Sequence, residues 1–79
     1  MEIKILGSGC SNCKKLEANT KEAIKSLGIE ANITKVEDIK EIMKYGVMRT
    51  PAIVINEKVK AFGKVLNSDQ IKKLIEQEI

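Results

Sequence analysis

The sequence predicts an α/β fold: a single domain over residues 1–79 in β-α-β-α-β-β-α order, with a four-stranded mixed sheet and helices on both faces. Three observations predict it. Residues alternate in character at 2–6, a helical stripe runs through residues 10–27, and Ala52-Ile53-Val54-Ile55 is the continuous apolar run of a strand covered on both faces. A chain of 79 residues makes one thin core, burying about 60 % of its unfolded surface. Ile, Leu, Val and Phe supply 23 of the 79 residues, about 29 %, above the roughly 20 % that marks disorder.

In order, residues 2–6 form the first strand, with Ile3 and Ile5 on one face and Lys4 and Leu6 on the other. Lys4 reads as a stem lying along the sheet with its amine in solvent. Gly7-Ser8-Gly9 turns the chain into a helix from about Cys10 to Leu27. Its stripe of Cys13, Leu16, Thr20, Ala23, Ile24 and Leu27 steps by three or four residues, and Gly28 is its stop signal. Residues 31–36 form a half-exposed strand with Ala31 and Ile33 on one side. Asp38 caps a second helix, with Glu41 at capping-box spacing; its apolar face is Ile39, Ile42 and Met43, and it stops near Gly46. The loop Val47-Met48-Arg49-Thr50-Pro51 leads into the apolar strand. Asn56-Glu57-Lys58 turns it into an antiparallel partner, Val59-Lys60-Ala61-Phe62, which Gly63 ends. Asn67 and Gln70 start a last helix whose apolar side is Ile71, Leu74, Ile75 and Ile79. The strand–helix–strand opening implies a parallel pair joined by a right-handed crossover.

Composition excludes several chemistries. Histidine and tryptophan are absent, which removes Ser-His-Asp and Cys-His catalysis and histidine metal sites. Tyr45 and Phe62 are the only aromatic residues, too few for a base-stacking platform. The net charge is +3 and the lysines are dispersed, mostly beside glutamates, so neither nucleic acid nor a membrane is an expected partner. The opening residues are too short an apolar run and too charged for a signal peptide or membrane span. A cytoplasmic location is the expectation; the sequence leaves the oligomeric state open, with a monomer favoured.

Two cysteines, Cys10 and Cys13, are separated by two residues. In a reducing compartment such a pair is redox-active or metal-binding rather than a structural staple. At the opening turn of a helix, residues three apart are neighbours and can bridge with little distortion. Unpaired amides and the partial positive charge at the helix N-terminus stabilise a thiolate, which is the reactive form. Cys13 lies on the apolar stripe and is expected to be buried; Cys10 lies at the loop edge and is expected to be exposed. Cys10 is therefore read as the nucleophile and Cys13 as the resolving thiol. Gly7 and Gly9 let the backbone approach a partner closely. Thr50-Pro51 stands at the start of the apolar strand, where a residue without an amide donor belongs. Methionines at helical spacing are more often core than binding surface; the alternative is a rim of Met43, Val47, Met48 and Ala52 beside Cys10. A second function for the same pair is carriage of Cu(I), which two thiolates suit.

The strand before Gly7-Ser8-Gly9-Cys10-Ser11-Asn12-Cys13, the segment Gly46-Val47-Met48-Arg49-Thr50-Pro51-Ala52, the hairpin Val54 to Val59 and Gly63 before a capped helix together resemble the thioredoxin superfamily. More narrowly, the chain is similar to the small, glutaredoxin-sized redox-active-disulfide proteins of archaea and bacteria. The resemblance implies a thioredoxin-like fold and a thiol–disulfide oxidoreductase that reduces protein disulfides. It implies recharging by a separate NADPH-linked disulfide reductase, with no cofactor and no metal of its own. It also implies a cis bond between Thr50 and Pro51 packed against the cysteines, with the Thr50 backbone pairing to an extended substrate as an added strand. The expected substrate-contacting residues are Thr50, Pro51, Gly9, Ser11, Asn12 and Gly63. Ser11-Asn12 stands where thioredoxins proper carry Gly-Pro, and Gly9 where they carry Trp.

Overall fold

The computed structural model describes residues 1–7 and 11–78. Among them the chain forms β1 (Glu2–Leu6), α1 (Ser11–Leu27), β2 (Asn32–Val36), α2 (Ile39–Lys44), β3 (Ala52–Ile55), β4 (Lys58–Phe62) and α3 (Ser68–Glu76). The sheet runs β2-β1-β3-β4. β1 and β2 are parallel, while β1–β3 and β3–β4 are antiparallel. This is the expected α/β architecture. The capped segment after β2 is helical, as its spacing predicts.

Alternation along the strands divides the core in two. Ile3 and Ile5 of β1, with Ile53 and Ile55 of β3, pack against Leu16 and Ala23 of α1 and Ile71 and Ile75 of α3. Leu6, Ala52 and Val54 point to the other face, where Ile42 of α2 and Val47 cover them. β3 is buried along its whole length because helices lie on both sides of it. The stripe of α1 is buried at Cys13, Leu16, Thr20 and Ala23; the Thr20 hydroxyl is satisfied by donating to the Leu16 carbonyl at 2.7 Å. Asn56 and Glu57 both adopt positive φ, 50° and 67°, as a two-residue hairpin turn requires. Asn67 and Gln70 form the full capping box at the start of α3. Ile79 lies outside the described residues.

Three expectations are corrected. The apolar face of α2 is buried only at Ile42; Ile39 and Met43 are 67 % and 59 % exposed. A helix of six residues has fewer than two turns, and its single inward position is all that reaches the sheet. Met43 is thus surface rather than core. Asp38 caps α2 by accepting from the Lys40 amide at 2.8 Å, but Glu41 bonds Lys44 at 2.9 Å rather than completing a capping box. The Lys4 amine is not left to solvent: it donates to Tyr45 Oη and to Glu57 Oε1, each at 2.6 Å. These bonds tie β1 to the end of α2 and to the β3–β4 turn.

The ion pairs give stability a direction in acid. The hydrogen bond from Lys4 holds the Glu57 carboxyl below its ordinary value. The hydrogen bond from Lys60, helped by the charge of Lys58, does the same for Glu78. Both groups then stabilise the fold above the ordinary carboxylate range, and that contribution is lost as pH falls through their depressed folded values. The thermal midpoint is expected to fall on acidification below about pH 4. Glu78→Gln should flatten that fall, because Glu78 is only 10 % exposed and pairs with Lys60 at 2.7 Å and Lys58 at 3.4 Å; an unaltered acid limb in this variant would remove the pair as its cause.

Candidate functional site

The first turn of α1 and the loop before β3 meet at the C-terminal end of β1. Cys13, the third residue of α1, is 6 % exposed and sits beneath the chain as it leaves β1. Gly7 explains how it fits. A Cβ at Gly7 would collide with Cys13 Sγ, would stand 3.3 Å from Cys13 Cβ and would approach Thr50 Cβ at 3.7 Å. Only a residue without a side chain lets the backbone after β1 pass so close to the sulfur, and the same point fixes Cys13 and Thr50 as near neighbours.

The Thr50–Pro51 peptide is cis. Pro51 is buried and Thr50 is exposed, so one residue anchors the loop and the other faces outward. The Gly63 amide donates to the Pro51 carbonyl at 2.9 Å, tying the end of β4 to this bond. Gly63 has φ 73°, and a side chain there would also press on Arg49, at 3.3 Å from its Cβ. Ser11 and Asn12 are exposed at the start of α1. Cys10 and Gly9, read as nucleophile and substrate contact, lie outside the described residues. Of the expected set, the described part brings Cys13, Thr50, Pro51 and Gly63 into one cluster, with Ser11 and Asn12 on the turn that carries Cys13.

Two hollows flank this cluster. An open groove of about 300 Å³ is lined by Ile39, Ile42, Met43, Val47, Met48 and Thr50. Met48 is 86 % exposed along it. The rim of Met43, Val47 and Met48 considered from the sequence is this surface, although Ala52 is buried beneath it. On the other side, a cavity of about 70 Å³ reaches Cys13 between α1 and β2, with Glu17, Lys35, Glu37 and Lys14 in its wall. Sequence reasoning did not single out Glu17. Its spacing of four residues from Cys13 on one helix was the available signal, while its partner Lys35 is remote in sequence.

The first turn of α1 carries no acidic residue, so nothing there opposes the positive end of the helix. Among the described residues no group of three or more His, Cys, Asp or Glu side chains is arranged to hold a metal ion, and no helix is long and apolar enough to cross a membrane.

Residues 1–76 match the family described as a thioredoxin domain. A thioredoxin of Methanothermobacter thermautotrophicus is 37 % identical over 75 residues, which cover 95 % of this chain and 97 % of that protein. A thioredoxin of Methanocaldococcus jannaschii is 37 % identical over 70 residues, covering 89 % of this chain and 80 % of that one. Among solved structures, a chain from work on thioredoxin-2, a component of the malaria parasite protein secretion machinery, is similar with a TM-score of 0.71. It covers 96 % of this chain and 81 % of its own length at 18 % identity, a likeness of fold.

Proposed function

This chain belongs to the thioredoxin family, a family of thiol–disulfide oxidoreductases, and from that premise we propose that it reduces protein disulfides with Cys10 as nucleophile and Cys13 as resolving thiol. The observation that carries this reading is the seating of Cys13: buried in the first turn of α1, against Gly7 and beside the exposed Thr50 of a cis-proline loop.

In the proposed cycle the Cys10 thiolate attacks one sulfur of the substrate disulfide. A mixed disulfide forms and the other substrate sulfur leaves as a thiolate. Cys13 loses its proton and attacks Cys10 Sγ, the mixed disulfide breaks, and the second substrate sulfur leaves. Two electrons pass to the substrate and the chain is left with a Cys10–Cys13 disulfide, which a separate NADPH-linked reductase reduces. Burial protects Cys13 from outside disulfides and leaves the first attack to its neighbour. The backbone of exposed Thr50 is available to pair with an extended substrate segment, and Ser11, Asn12, Gly9 and Gly63 complete the contact surface.

The test is reduction of insulin disulfides with dithiothreitol as the terminal reductant, together with a redox titration of the pair. Catalysed reduction and a two-electron transition are expected, both lost when Cys10 and Cys13 are replaced together by serine. Equal turnover by the doubly substituted chain would refute the assignment.

A further inference from the structure

We infer that Arg49, laid against Gly63 next to Thr50, selects the substrate: it favours disulfides whose reacting cysteine is flanked by acidic residues. The inference rests on the dithiol cycle proposed above and adds to it a substrate class.

Arg49 immediately precedes Thr50, whose backbone is the proposed partner of an extended substrate, and it is exposed. Its stem nevertheless has a seat. A Cβ added at Gly63 would stand 3.3 Å from Arg49 Cβ and 3.4 Å from its Cδ. Both ends of the stem therefore lie along Gly63, a second residue of the proposed contact surface, and the absence of a side chain there makes the room. A seated stem has less rotamer freedom left to lose when its head pairs with an anion, which is the usual cost of an exposed ion pair. The planar guanidinium matches a carboxylate in shape. Among the described residues no carboxylate pairs with Arg49.

The charge around this position has one sign. The first turn of α1 carries no acid. Lys64 follows Gly63 and is exposed. The groove that Thr50 shares with Ile39, Met43 and Met48 has no charged residue in its wall. The carboxylates around the end of β2 are engaged or remote. Asp38 accepts from the Lys40 amide, and Glu17 is held by Lys35 and Lys21. Glu37 follows β2, at the opposite edge of the sheet from β4, which Gly63 ends. A substrate strand paired to Thr50 thus meets a seated cation, and an acidic side chain beside its cysteine supplies the partner.

The experiment uses three peptide disulfides of equal length in which both residues flanking the cysteine are Asp, Ser or Lys. Each is mixed with the fully reduced chain. Its rate constant is divided by that for the same peptide with dithiothreitol, which removes the effect of the flanking charges on the disulfide itself. At low salt the normalised rate should be about three- to fivefold higher for the Asp peptide than for the Lys peptide. The preference should fade as ionic strength rises from about 0.01 M to about 1 M, over which the screening length falls from roughly 30 Å to 3 Å. Arg49→Gln should remove most of the preference, Arg49→Glu should invert it, and Arg49→Lys should keep most of it. Lys73→Gln, which removes the same charge from α3, should leave it unchanged. Equal normalised rates for the Asp and Lys peptides with the parent chain would overturn the inference. So would an equal loss of preference in Arg49→Gln and Lys73→Gln, which would assign the effect to net charge. So would an Arg49→Gln chain that slows all three peptides alike and keeps their ratio, which would make Arg49 a residue acting on the dithiol. If the parent chain reduces none of the peptides, it is the dithiol cycle that fails.

Discussion

Cys10→Ser is expected to abolish disulfide reduction, by on the order of a thousandfold or more, as when a covalent nucleophile is removed. Cys13→Ser should fail differently. With Cys10 intact the first attack still occurs, but a serine hydroxyl does not displace sulfur from a disulfide, so the chain should stall joined to its substrate. Intact-mass measurement of the stalled species should give the sum of the two partners, released by dithiothreitol. The asymmetry follows from position: Cys13 is 6 % exposed and enclosed by Gly7, so it meets a sulfur brought to it and does not reach outward. If Cys10→Ser were to trap substrate and Cys13→Ser to turn over, the two roles would have to be exchanged.

The second large effect is expected at Gly7. Adding a methyl group there drives it into Cys13 Sγ, and the sulfur has little freedom to move because Cys13 is buried in α1. Overpacking of this kind costs about 1–3 kcal/mol. In a domain of this size each kcal/mol lowers the thermal midpoint by about 4–8 °C. Gly7→Ala should therefore melt several degrees lower and resolve mixed disulfides more slowly, since Cys13 is pushed from its place beside Thr50. Thermal melts of a double-mutant cycle identify the cause. In a Cys13→Ala background the clashing sulfur is gone, and Gly7→Ala should cost less than half as much. An equal cost in both backgrounds would mean that the backbone, not the sulfur, makes glycine necessary.

The parts of this molecule that were legible from sequence are those written in local periodicity. Ile3 and Ile5 alternate with Lys4 and Leu6, and the sheet buries Ile3 and Ile5 on one side and Leu6 on the other. The stripe through Cys13, Leu16, Thr20 and Ala23 is the buried side of α1, and the unbroken run Ala52 to Ile55 is the strand covered on both faces. Asn67 and Gln70 are close enough in sequence to announce their own capping box. What local pattern misses is set by partners far along the chain. Nothing near Lys4 announces that Tyr45 and Glu57 will take its amine, and nothing near Glu17 announces Lys35. Met43 and Ile39 misled because helical spacing tells which residues share a face, not whether a helix of six residues has a partner wide enough to cover it. The cis state of Thr50–Pro51 was expected from family resemblance alone; most X–Pro bonds are trans.

The division of labour between the two sulfurs is tested most directly by timed alkylation of the fully reduced chain with iodoacetamide, the modified cysteine being located by mass spectrometry across a pH series. Cys10 should be modified at least about tenfold faster than Cys13 at neutral pH, with a midpoint below the roughly 8.5 of a free thiol. Equal rates at the two positions, or faster modification of Cys13, would contradict the account.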